Sequence, residues 1–130
     1  ASGSTDLVLR TLAACGDEIN IWSGNDNEVV PMMSLGAKGV ISVAANIVPE
    51  IMTKMTNCCL NGDFEAGCRL QLQYLELINR LFIEVNPIPI KTAMNLMGME
   101  VGPLRPPLYE MEEKNAKKLE EEMRKFGLLK

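Results

Sequence analysis

The segment Gly39-Val40-Ile41-Ser42-Val43-Ala44-Ala45 constrains the fold more than any other stretch of this chain. It is β-prone and almost continuously apolar, without the in–out alternation of a strand that has one wet face. A strand of that kind is covered on both sides, as in a parallel sheet overlaid by helices. One other segment, Ile19-Asn20-Ile21-Trp22-Ser23-Gly24, reads as a strand, and a loop and a short helical pattern separate the two. Strand, loop, helix, strand is a βαβ crossover of minimal length. Two buried parallel strands cannot cover each other, because such sheets need neighbours on every side. The chain therefore reads as part of a larger α/β unit, with the missing part N-terminal to it.

The rest of the pattern is helical. Ser4 or Thr5 caps a first helix with Asp6 in its first turn, Leu9, Leu12 and Ala13 on its apolar face, and Gly16 as its stop. Asp26 or Asn27 starts a short helix through Val29, Val30, Met32, Met33 and Leu35, with Pro31 in or near the first turn. Val48, Met52, Met55 and Cys59 recur at helical spacing, and Asn61-Gly62 ends that run. Asp63 caps the next helix, whose stripe reads Cys68, Leu72, Leu75, Ile78 and Phe82. Ala93, Met94 and Met97 line a short helix closed by Gly98. Pro103-Leu104-Arg105-Pro106-Pro107-Leu108 is an extended connection. The last helix, about 110–126, places Ala116, Leu119, Met123 and Phe126 on one face of a heavily charged segment.

Composition narrows the chemistry. With 47% hydrophobic and 23% charged residues the chain is globular rather than disordered. Its net charge of −4 gives it no electrostatic footprint for nucleic acid. No apolar run approaches the roughly 18 residues of a membrane-spanning helix. There is no histidine, so the commonest general base and every Ser-His or Cys-His nucleophile pair are excluded. Cys15, Cys58, Cys59 and Cys68 show no zinc-ligand spacing and read as buried, reduced thiols of a cytosolic protein. Lysine, tyrosine, carboxylates or backbone groups must carry any reaction.

In α/β folds ligands sit beyond the C-terminal ends of parallel strands, here Ser23-Gly24-Asn25 and Ser42-Val43-Ala44. Gly24 either lets its backbone approach a ligand closely or only makes a tight turn. Asn25 and Asp26 either touch a ligand or cap the helix that follows. Ile41, mid-strand, has the position of a core filler. Asn86-Pro87-Ile88-Pro89-Ile90-Lys91 holds two prolines one residue apart, each setting its own φ and pressing the preceding residue towards an extended conformation. It reads as a stiff joint between two helices, with Asn86 and Ile88 extended. Lys91 there is either a desolvated nucleophile or a helix-start lysine with a solvated head.

These motifs converge. Ser23-Gly24-Asn25-Asp26, the run from Pro31 to Asn46 and the hexapeptide Asn86-Pro87-Ile88-Pro89-Ile90-Lys91 closely resemble, in order and spacing, the dihydrodipicolinate synthase (4-hydroxy-tetrahydrodipicolinate synthase) family of pyruvate-dependent class I aldolases. Ala1-Ser2-Gly3 is similar to the tail of the family's Lys-Glu-Ala-Ser/Thr-Gly segment. Arg105 and Pro107-Leu108 resemble its Arg-x-Pro-Leu stretch, with Pro106 between. The resemblance implies the C-terminal portion of a (β/α)8 barrel, with two parallel strands and their helices, plus appended C-terminal helices. Residues 1–60 would be the barrel part and 61–130 the helical extension. A whole barrel takes about 250 residues.

The family condenses pyruvate with L-aspartate-4-semialdehyde in lysine biosynthesis. A lysine forms a Schiff base with pyruvate, and a tyrosine helped by a threonine relays protons. On this resemblance all three lie upstream of Ala1, as does the lysine-feedback site, so the chain alone is expected to be inactive. No cofactor and no metal are implied. Ile41 and Gly24 match substrate-side positions, and Asn25 stands where the family often has Asp, so a carboxylate function is not carried over. Asn86, Pro87, Pro89 and Lys91 would brace the catalytic strand, with Lys91 not the Schiff-base lysine. A cytoplasmic homo-oligomer, often a tetramer in this family, is implied. Removing half a barrel also exposes strand edges and apolar faces that favour self-association. A half-barrel of a related neuraminate lyase or keto-acid aldolase, and a non-catalytic α-rich interaction module, are the alternatives.

Overall fold

A computed structural model describes residues 3–129. The described residues form six α-helices: α1 (Thr5–Cys15), α2 (Val29–Ser34), α3 (Pro49–Leu60), α4 (Phe64–Arg80), α5 (Ile88–Leu96) and α6 (Glu113–Lys125). Short 3-10 turns cover Gly16–Glu18, Asp26–Glu28 and Ala44–Asn46. Ala1 and Ser2, where the similarity to the lysine-bearing segment begins, lie outside the described residues. Two compact units result: residues up to 42 with 50–72, and residues 43–49 with those from 73 onward.

In the first unit Ser4 caps α1, its side-chain oxygen accepting from the Leu7 N–H at 3.2 Å. Gly16, at φ 53°, ends the helix. Val8 is the buried α1 residue; Leu12 is half-buried, and Leu9 and Ala13 are exposed. The expected strands shrink to one parallel bridge, Ser23 to Val40. Ser23 N–H donates to the Gly39 carbonyl at 2.9 Å, and Ile41 N–H donates back to the Ser23 carbonyl at 2.8 Å.

The second expected strand stops early, because residues 44–46 coil into a 3-10 turn. Nor are these segments covered on both faces. Ser23 and Gly39 are buried while Trp22 is 50% and Ile41 73% exposed. An extended backbone sends successive side chains to opposite sides, and in this unit one side has nothing over it. Ile41 is therefore no core filler.

The α3 stripe is as expected: Val48, Met52, Met55 and Cys59 are all buried. The α4 stripe is rotated. Leu72 and Cys68 are exposed, and Gly67 and Gln71 face inward instead. A Cβ at Gly67 would stand 2.9 Å from the Cys59 sulfur and 3.6 Å from Val30 Cγ2, so α4 approaches as closely as it does because residue 67 has no side chain.

In the second unit α5 packs against α6 and against the 44–46 turn. Ala44, Leu77, Ile78, Leu81, Ile90, Ala93, Leu119 and Met123 form the core. The hexapeptide is less of a corner than its prolines suggest. Ile88 is helical, not extended, because α5 starts there and Pro89 sits in its first turn, where a missing N–H costs nothing. Residues 99–112 run without helix and are tied to α5. Lys91 Nζ donates to the Pro103 carbonyl at 2.6 Å, and Asn95 Oδ1 accepts from the Val101 N–H at 2.9 Å. Glu84 Oε1 accepts from the Glu112 N–H (3.0 Å) and from Asn115 Nδ2 (2.8 Å), satisfying the start of α6.

Candidate functional site

A cleft of about 500 Å3 opens in the first unit. Ser4 and Thr5 at the α1 N-terminus, Ser23, Gly24 and Asn25 at the end of the bridged segment, and Glu28 supply its polar wall. Val8, Trp22 and Met32 are among its apolar residues.

The sharp bend at 23–25 has a local cause. The Ser23 hydroxyl accepts from the Asn25 N–H at 3.2 Å and donates to the Asn25 carbonyl at 2.9 Å, closing the turn on itself. Asn25 does not cap the helix with its side chain; its amide donates to Glu28 Oε2 at 2.9 Å. Gly24 is exposed at the rim.

Beneath this loop stands a residue that the sequence pattern missed. Gln71 of α4 is buried, its Oε1 accepts from the Val30 N–H at 3.3 Å, and its Nε2 donates to the Asp26 carbonyl at 2.9 Å. The second residue of a helix has no intrahelical acceptor for its N–H, and Gln71 provides one. The signal was present: Gly67, Gln71, Tyr74 and Ile78 recur at helical spacing, and Gln71 is the misfit polar residue on that face.

Of the site residues that the sequence predicts, Gly24 and Asn25 line the cleft. Ile41 is not among its lining residues, though its backbone is bonded to Ser23. Asn86, Pro87, Pro89 and Lys91 belong to the second unit. There Pro89 is buried, Asn86 is exposed and Lys91 lines a separate cleft of about 430 Å3 between α5, residues 102–111 and α6. Among the described residues no three His, Cys, Asp or Glu side chains stand close enough to hold a metal ion. No helix among them is long and apolar enough to cross a membrane.

Described residues that are mostly helical with one parallel bridge, and a cleft at the C-terminal end of that bridge, fit a fragment of an α/β barrel enzyme. The comparisons sharpen the class. The model of the dihydrodipicolinate synthetase family matches residues 1–126, and the chain belongs to that family. It is 52% identical over 130 residues to the 4-hydroxy-tetrahydrodipicolinate synthase of Thermoanaerobacter sp. (strain X514), covering all of this chain and 44% of that protein.

Among solved structures it is similar to the dihydrodipicolinate synthase of Aquifex aeolicus, with a TM-score of 0.95, 38% identity, and coverage of 98% of this chain and 44% of that one. It is also similar to the chloride-inhibited dihydrodipicolinate synthase of Acinetobacter baumannii complexed with pyruvate, with a TM-score of 0.93, 31% identity, and coverage of 99% and 44%. The chain thus spans about 44% of the length of these relatives.

Proposed function

We propose that this chain is the C-terminal part of a lyase that condenses pyruvate with L-aspartate-4-semialdehyde to 4-hydroxy-tetrahydrodipicolinate, the aldol-type step of lysine biosynthesis. The observation that carries the reading is the cleft behind Ser23-Gly24-Asn25. It lies where a parallel segment ends, the place where α/β enzymes bind their ligands, in a chain of this family. In this reading Gly24 and Asn25 present polar groups to substrate, with the Ile41 backbone beside them. Asn86, Pro87, Pro89 and Lys91 are supports.

The Schiff-base lysine, the tyrosine and the threonine come from sequence upstream of Ala1. Lys38, Lys54 and Lys91 do not have the setting of a Schiff-base nucleophile, and Lys114, Lys117, Lys118 and Lys125 are exposed on α6. Lys38 and Lys54 are exposed, and Lys91 is engaged with the Pro103 carbonyl. Residues 1–60 then form barrel and 61–130 the helical extension, and the complete protein is a cytoplasmic homo-oligomer that needs no cofactor. The test is reductive trapping: this chain incubated with pyruvate and borohydride should show no mass gain. A pyruvyl adduct on any lysine, Lys91 included, would overturn the assignment.

A further inference from the structure

Three cysteines lie on the α3–α4 hairpin of the first unit, and the proposed condensation uses none of them. Cys58 and Cys59 lie in the last turn of α3, and Cys68 lies one residue beyond the Gly67 notch on α4. The Cys59 sulfur fills that notch, 2.9 Å from where a Gly67 Cβ would be. A Cβ is about 1.5 Å from its own Cα and consecutive Cα atoms are about 3.8 Å apart, so the Cys68 Cα stands within about 8 Å of the Cys59 sulfur. The two differ in access: Cys59 is buried and Cys68 exposed. The turn between the helices is short and bonded, with Asp63 N–H donating to the Cys58 carbonyl at 2.9 Å and Gly62 N–H to the Cys59 carbonyl at 3.0 Å.

We propose that Cys59 and Cys68 are a dithiol–disulfide pair that low-molecular-weight disulfides oxidise through Cys68. The Cys68 thiolate attacks the small disulfide; a Cys68 mixed disulfide forms and one small thiol leaves. The Cys59 thiolate then attacks the Cys68 sulfur, forming the Cys59–Cys68 bond and expelling the second small thiol. Two protein thiols lose two electrons and two protons, and the small disulfide becomes two thiols. Exposure makes Cys68 the first to react. Burial pushes the Cys59 thiol up, with Cys58, Asp63 and Cys68 adding to the shift, so Cys59 serves as the resolving thiol and the second step quickens towards alkaline pH.

The experiment treats the reduced chain with glutathione disulfide at mildly alkaline pH, and follows intact mass and peptide maps. The expected product has lost two hydrogens and two of its four thiols, with the peptides holding Cys59 and Cys68 joined. C59S should stop at one glutathionyl adduct on Cys68. C68S should lose the two-hydrogen product, and C58S should behave as the unsubstituted chain. A stable Cys68 adduct in the unsubstituted chain, or a two-hydrogen loss that survives in C59S, would overturn the pairing. The peptide map of the unsubstituted chain decides the matter even if a variant fails to fold.

Discussion

Replacing Gln71 by methionine should show how far one buried side chain holds the candidate site. Methionine is close to glutamine in length and keeps the helix propensity of α4. It removes both hydrogen bonds, the 3.3 Å bond from the Val30 N–H and the 2.9 Å bond to the Asp26 carbonyl. Each bond is worth about 1 kcal/mol net, and each buried backbone group left without a partner costs about 1–3 kcal/mol.

Part of that cost is recovered by burying an apolar side chain, which puts the net loss at about 2–4 kcal/mol. For a chain of this size that is a fall of roughly 10 °C in Tm. Urea unfolding measures it, and Gln73→Met is the control, because Gln73 is exposed two residues further along the same helix. The Val30 amide should also exchange its hydrogen faster, since Gln71 is its acceptor. If Gln71→Met costs less than about 0.5 kcal/mol, or no more than Gln73→Met, then the bonds are not what holds residues 26–30 in place.

Three further outcomes follow from the same geometry. Gly67→Ala should cost about 1–3 kcal/mol through overpacking against Cys59, and adding Cys59→Ala should restore part of it; a double-mutant cycle with no coupling would contradict the 2.9 Å approach. The folded state keeps the Cys59 proton where the unfolded thiol, at its ordinary 9.0, releases it. Stability from this group is therefore complete below about pH 9.0 and is lost as pH rises above it, and urea titrations should show that decline shrink in Cys59→Ala. Lys91→Met removes the 2.6 Å bond to the Pro103 carbonyl and should cost about 1 kcal/mol, seen as faster proteolysis within residues 99–112.

What the chain forms locally was legible along it. Ser4 caps α1, Gly16 and Gly62 end helices, and the Val48, Met52, Met55 and Cys59 stripe is buried as its period demands. Asn25 and Gly24 could be placed at a candidate site because a glycine and short polar residues follow a β-prone run. These features depend on spacing and turn chemistry within a few residues.

Other features depended on what lies across the fold. Continuous apolarity in residues 39–45 implied a strand with both faces covered, yet Ile41 is exposed and residues 44–46 coil, because burial is set by neighbours in space. The α4 stripe of Leu72 and Cys68 was as good a helical face as the one actually used. The Gly67 notch against Cys59, and the buried acceptor that Gln71 offers to Val30, turn the helix to the other face. Sequence determined that there are helices, where they stop, and which family's motifs they carry. Tertiary structure decided which faces those helices bury and which polar residue stands under residues 26–30 beside the candidate site, since packing and hydrogen bonding join residues some forty positions apart.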